Sequence, residues 1–286
     1  MSDTEPYPPE HHVLRDLPFE MEDTGPDAAR AHLTVVPEVC EDGRLSAGPV
    51  LVAVDVLAGL LVGRVIAPDW MATAQLALHL VDPPADGRLV VDASVRRAGR
   101  TTIVVAAALR SDGDAGGHTA GTAELTFVRL PRRDGNLDIA DTPIRIGERI
   151  SMALPDSGLR SAYADEIGLR VLDGTSGRAQ LDASPFVRNS FGAVNGGVVA
   201  SLAAGSAAAL ASDVLGTRAR ALDVVATYLA QARVGPLEAR ARLVRRDGPV
   251  ALVAVDVDDA GIASDDGDGP RPALTAYVHC VADVER

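Results

Sequence analysis

Two places in the chain carry residues whose types and spacing can do chemistry. The first runs from Asn189 to Ala204, with glycines at Gly192, Gly196 and Gly197 ahead of a Val/Ala/Leu/Ser/Gly run. It reads as a turn opening into a helix packed on all sides, and the start of such a helix presents backbone N–H groups able to hold negative charge. The second is Asp55, a carboxylate near the middle of the almost wholly apolar segment Ala47–Ala67, with Arg64 near its end. A charge at the centre of a membrane span costs about 3 kcal/mol, so the segment predicts a buried core helix rather than a span. Each place also has an ordinary structural explanation: a glycine-rich turn before a core helix, and a buried helix acid satisfied by backbone donors.

Other chemistries find less support. Of the histidines His11, His12, His32, His79, His118 and His279, only the adjacent first pair comes near a metal-ligand spacing. Asp265-Asp266-Gly267-Asp268 lacks the spacing and closing Glu of a calcium loop. There is no Gly-x-Ser-x-Gly turn, phosphate loop or dinucleotide fingerprint in a supporting context. A net charge of -13 and 3% aromatic residues argue against a nucleic-acid binder, and any anionic ligand must be held by local arginines. Two cysteines, Cys40 and Cys280, cannot build a disulfide framework or a zinc cluster. With no signal peptide in Met-Ser-Asp-Thr-Glu, the expected compartment is the cytoplasm.

The elements that must position these residues come from an internal repeat. Val95-Arg96-Arg97-Ala98-Gly99-Arg100 is echoed by Val244-Arg245-Arg246-Asp247-Gly248-Pro249, 149 residues on. Arg30-Ala31-His32-Leu33 is echoed by Arg178-Ala179-Gln180-Leu181, and Gly43 and Gly48 return as Gly192 and Gly197. The 286 residues therefore read as a tandem duplication with few insertions, each copy long enough to bury a core. The first copy predicts an extended stretch around His32–Val36, a helix near Val50–Val65, and strands near Met71–Val81, Arg88–Arg97, Thr101–Arg110 and Ala120–Leu130. The second predicts a helix near Val198–Val214 and strands near Ala221–Arg233, Leu237–Arg246, Val250–Val257 and Ala273–Ala282. Ser111–Gly117 and Asp258–Pro270 read as equivalent hairpin loops, and Pro131–Ser157 has linker composition. One long helix followed by a strand meander predicts an α+β unit, the helix wrapped by an antiparallel sheet. The expected division is residues 1–132 as the first unit, 133–157 as linker and 158–286 as the second unit.

The order of elements, and an Asn-x-x-Gly-x-x-His-Gly-Gly-x6-Asp type of pattern, resemble the hotdog-fold acyl-CoA thioesterases of the phenylacetate-pathway (PaaI-type) group, here with two hotdog units fused as a pseudo-dimer. The resemblance covers most of residues 15–130 and 158–285. In that family each site is composite: one unit gives the Asn and the His-Gly-Gly turn, the other an Asp and a hydroxyl about 18 positions later. Carried over, the second unit supplies Asn189, Gly192, Asn195, Gly196 and Gly197, with Asn195 where the family has His, but Ala204 stands at the Asp position. The first unit does the reverse: it keeps Asp55 and Thr73, with Cys40 and Ser46 at the Asn and His positions. Paired as in the family, the halves give one complete site and one empty one. The resemblance implies Asp55 as base or nucleophile, Thr73 positioning water, the Gly196 N–H holding the thioester oxygen and Asn189 orienting the carbonyl or nucleophile. Asn195 can donate and accept hydrogen bonds but cannot relay a proton as His does.

The hairpin of Arg96, Arg97, Gly99 and Arg100 resembles the family's coenzyme-contacting loop, whereas a charged solvated turn is its plainer explanation. The expected activity is hydrolysis of an acyl-CoA, with no cofactor or metal, coenzyme A (CoA) entering only as part of the substrate, no nucleic-acid or membrane partner, and a homodimer of the fused chain. The alternatives are a non-catalytic acyl or acyl-CoA binding protein that kept the groove, and a purely structural fused pair.

Overall fold

The helix that carries Asp55 forms because its sequence is rich in Ala, Val and Leu between two natural boundaries. It begins after Ser46, and it stops where Ala67 precedes Pro68 and turns extended. The second helix starts at Asn195, whose side-chain oxygen accepts the Val198 N–H, and ends at Gly216, which takes the left-handed conformation (φ 73°). Both helices are apolar nearly all round, since each packs on a sheet with one side and on the other helix with the opposite side.

The computed structural model describes residues 7–113, 117–132, 146–265 and 267–282. In chain order the first half holds α1 (Val13–Asp16), β1 (Phe19–Gly25), β2 (Ala28–Thr34), β3 (Cys40–Glu41), β4 (Arg44–Leu45), α2 (Ala47–Ile66), β5 (Trp70–Leu80), β6 (Arg88–Ala98), β7 (Thr102–Ser111) and β8 (Thr119–Leu130). After β9 (Arg149–Ile150) come α3 (Tyr163–Glu166), β10 (Arg170–Asp173), β11 (Arg178–Leu181), α4 (Gly196–Leu215), β12 (Ala219–Tyr228), β13 (Leu237–Asp247), β14 (Val250–Ala263) and β15 (Pro270–Ala282). The loop centred on residues 114–116, Asp266 of the acidic hairpin tip, and 133–145 of the expected linker lie outside the described residues.

Thirteen strands form one antiparallel sheet in the order β10-β11-β13-β14-β15-β12-β5-β8-β7-β6-β2-β1-β9. α2 packs on β2 and β5–β8, and α4 on β10–β15. The halves meet at β5 and β12, where Ala77 pairs with Val225 and Leu76 with Ala226.

Several predicted boundaries move. The expected strand Ala221–Arg233 ends at Tyr228, because residues 229–232 leave the sheet to wall a cavity. The stretch predicted as Val250–Val257 runs on to Ala263, which shortens the predicted loop from Asp258. β1 is absent from the sequence prediction because its Glu-Met-Glu-Asp run puts charges between the buried Phe19, Met21 and Asp23.

Candidate active site

Asp55 faces inward because α2 and α4 cross closely at Gly197. A Cβ there would lie 2.5 Å from the Val52 Cα and 2.6 Å from the Leu51 carbonyl oxygen, so only glycine permits this approach. The crossing brings the Gly197 N–H to 3.2 Å from Asp55 Oδ2. On the other side, Thr73 Oγ1 donates to Asp55 Oδ1 at 2.9 Å. Gly196 is constrained as well, since its Cβ would sit 2.9 Å from Asp55 Oδ2.

Thr73 reaches the carboxylate through a defect in β5. Pairing passes from Thr73–Phe127 directly to Gln75–Thr126, leaving Ala74 as a bulge. Side chains alternate with period two along a strand, so without that extra residue Thr73 would share the outward face of exposed Gln75. The bulge turns Thr73 to the inner side, where Leu76 is buried.

Asp55 is 8% exposed, and burial lifts its pKa to about 6, against the lowering effects of the Thr73 and Gly197 hydrogen bonds. Its surroundings are one wall of a cavity of about 540 Å³ that also takes in Thr73, Asn189, Asn195 and Gly196. The five residues for which the sequence suggested a chemical role thus come together, two from the first half and three from the second. Among the described residues the Gly196 N–H, on the first turn of α4, meets no acceptor.

The two asparagines also hold local backbone. Asn189 Oδ1 accepts from the N–H groups of Phe191 and Ala193 at 2.9 and 3.1 Å, which closes the turn before α4 and leaves Nδ2 as its atom for a ligand. Asn195 Oδ1 caps α4 through the Val198 N–H at 3.3 Å. The basic hairpin stands apart from the cavity wall: Arg97 lies near the end of β6, Gly99 and Arg100 form the turn to β7, and in sheet order β6 is three strands from β5. A backbone bond from the Arg129 N–H to the Thr101 carbonyl ties that turn to the strand that carries Phe127 and Val128 into the wall.

The chain has one Trp, four Tyr and four Phe, and five of these rings, Tyr7, Trp70, Phe127, Phe191 and Tyr228, line this cavity. Trp70 of the first half meets Phe191 of the second edge to face at 4.4 Å. Tyr7, Pro8 and Met152 close over the site, held by Arg15, which donates to the carbonyls of Pro8 and Met152 at 2.8 and 2.6 Å. Motif reasoning passed over these residues; the concentration of scarce aromatics was a usable signal only once their positions were known.

Residues 187–281 match the family model described as Acyl-CoA thioesterase N-terminal domain, about a third of the chain. Among solved structures, the acyl-ACP thioesterase from Bacteroides thetaiotaomicron VPI-5482 superposes with a TM-score of 0.54 at 16% identity, covering 88% of this chain and 97% of that one. The 12:0-ACP thioesterase from Umbellularia californica gives 0.59 at 12% identity, covering 90% and 94%. The tesB protein of Mycobacterium avium subs paratuberculosis gives 0.54 at 11%, covering 92% and 96%. The fold is hotdog-like and shared with thioesterases. The chain matches no curated protein in sequence.

The place related to this site by the 149-residue offset is built differently. Ala204 stands for Asp55, and Ala221, which precedes the bulge of β12 as Thr73 precedes that of β5, stands for Thr73, around a smaller cavity of about 250 Å³. Tyr163 of α3, 4% exposed, enters it and shares a hydrogen bond of 3.0 Å with Ser201 Oγ. Its counterpart in the first half is Leu14. A tyrosine ring therefore lies where the larger cavity is lined by a leucine.

Proposed function

We propose that the chain hydrolyses an acyl-CoA to free acid and CoA in a single composite site between two tandem hotdog units, residues 1–132 and 158–286, joined by 133–157. The observation that carries this reading is the Asp55 carboxylate of one half, held by Thr73 and by the Gly197 N–H of the other, at the wall of an apolar cavity. The family match over residues 187–281 and the thioesterases sharing the fold support acyl thioester chemistry.

In this mechanism Asp55 acts as general base. Both its oxygens are already engaged by donors, and a pKa of about 6 leaves it ionised at neutral pH yet basic enough to take a proton from water. Water adds to the thioester carbon as Asp55 takes its proton. The negative charge formed on the carbonyl oxygen is met by the Gly196 N–H at the positive end of α4, with Asn189 Nδ2 and Asn195 beside it. Collapse breaks the C–S bond, and Asp55 returns the proton to the departing thiolate. Thr73 holds Asp55 and the water in line. Arg97 and Arg100 would attract the phosphates of CoA, with Gly99 permitting the turn they share. The reaction needs no cofactor. We extend the proposal to a cytoplasmic homodimer, for which the two free thiols of Cys40 and Cys280 suit a reducing compartment.

Thiol release from short, medium, long and aryl acyl-CoAs, run beside the matching acyl-ACPs, tests the reading. The useful second-half variant is Asn189→Asp, which keeps the acceptor for Phe191 and Ala193 while losing the Nδ2 donor. Loss of rate in both Asp55→Ala and Asn189→Asp supports one shared site; an unchanged rate in Asp55→Ala overturns it. Since ionised Asp55 is the active form, kcat/KM should rise with pH through about 6 and then level off. Ligand binding without turnover in any form would establish the binding-protein alternative.

The Arg97→Ala/Arg100→Ala double variant should raise KM for acyl-CoA about fivefold or more at low salt with kcat retained, the difference shrinking as salt is added. Equal KM values at low salt would remove the hairpin from CoA binding.

A further inference from the structure

Tyr228, the last residue of β12, lies in the wall of the cavity, and its hydroxyl donates to the Gly196 carbonyl oxygen at 2.8 Å. The N–H at the other end of that peptide plane belongs to Gly197, and it donates to Asp55 Oδ2. One rigid amide therefore bridges the phenol and the carboxylate.

We propose that Tyr228 is a positioning residue of the reaction: by holding the Gly196–Gly197 peptide it fixes and strengthens the N–H that supports Asp55. The inference rests on the thioesterase reading for its role in catalysis, but the linkage itself is independent of turnover. A hydrogen bond to a peptide carbonyl polarises the amide and makes its N–H a better donor. The same bond prevents the plane from rotating away from the carboxylate. Tyr228 is suited to this task because burial and the nearby Asp55 charge hold its hydroxyl protonated, well above the usual tyrosine range. From the packed elements, Asp55 is faced by Thr73 of β5, the Gly197 N–H of α4 and Tyr228 of β12; burial and the first two set its titration, and Tyr228 couples to its charge.

The role is distinct from that of Thr73, which touches the carboxylate directly. Tyr228 acts one peptide away, so its loss leaves both Asp55 contacts in place but weakens one. Because that contact favours the ionised acid, weakening it moves the titration of Asp55 upward.

The test is a carbon-13 NMR titration of the Asp55 carboxyl in wild type and Tyr228→Phe, with the resonance assigned by its absence in Asp55→Asn. The expected result is a higher midpoint in Tyr228→Phe, with the Gly197 amide proton moving upfield as its bond lengthens. Fluorotyrosine incorporation, which makes the phenol a stronger donor, should move the midpoint the other way and keeps the test available should the Phe variant fold poorly. In the acyl-CoA assay, kcat at pH 7 should fall about threefold to tenfold with KM unchanged, the range one hydrogen bond commands. An unmoved midpoint in both forms overturns the proposal, as does a raised KM with an unmoved titration, which would make Tyr228 a substrate contact. Absence of turnover in wild type would remove the thioesterase reading while the titration still decided the linkage.

Discussion

Asp55→Asn is expected to slow thiol release severely and, at pH 8, to make the protein more stable than wild type. The two effects share a cause. The Asp55 pKa is raised in the folded state from 3.8 to about 6, so the native protein binds this proton more tightly than the unfolded chain does. For such a group stability is greatest below about pH 4 and declines as pH rises through about 6, because ionisation is resisted only in the native state. At 1.36 kcal/mol per unit the shift amounts to about 3 kcal/mol. Asparagine matches the shape without the charge: its oxygen can accept the Gly197 N–H, and the Thr73 hydroxyl can rotate to accept from its amide. The variant should thus gain about 1–3 kcal/mol at pH 8, with the decline between pH 4 and 6 removed. Thermal melts of both proteins at half-unit pH steps check this. A variant less stable than wild type at pH 8 would mean that the carboxylate's hydrogen bonds outweigh its desolvation. The rate should fall by about 10²–10⁴, the usual contribution of a general base.

Gly197→Ala should be strongly destabilising, and its repeat partner Gly48→Ala far milder. At Gly197 the added Cβ would meet the Cα and N of Val52 and the carbonyl of Leu51, all backbone of α2. No side-chain rotation relieves that clash, so the helices must separate and Asp55 must lose its N–H partner. At Gly48 the nearest atoms belong to side chains: Tyr163 Cε1 at 2.6 Å and Ser201 Oγ at 3.3 Å. The Tyr163 ring can shift within its cavity. The expected cost is about 3 kcal/mol or more at Gly197 and about 1 kcal/mol at Gly48, spanning the range for overpacking. Urea unfolding of the two variants reads the difference. Equal costs would show that the crossing at Gly197 yields, and that glycine there is not required by packing.

Both long helices were legible in the sequence as apolar runs between turn signals, and the pairing of Asp55 with Thr73 was implied by the family resemblance. The fold then adds what spacing cannot express. Alternation along β5 would send Thr73 to the outer face; only the bulge at Ala74, invisible in residue types, turns it inward. Asn189 and Asn195 were read as site residues from their place in a motif, yet each also uses its oxygen to hold a turn or cap a helix, work that asparagine does in many proteins. Tyr228 and Tyr163 escaped notice for another reason. Each acts through a contact distant in sequence, on Gly196 and Ser201 respectively, so neither belongs to a local pattern. The arginine hairpin was legible as a motif, but its distance from Thr73 follows from strand order, which the sequence left open.

The seam between β5 and β12 joins the halves in a single sheet and a single chain. A site assembled from separate subunits is governed by mass action, and dilution empties it. Here the partner that brings Gly197 to Asp55 is tethered at a local concentration that does not change when the protein is dispersed. On the proposed reading each molecule carries its whole site with it, so specific activity is expected to be the same at trace amounts as at high abundance.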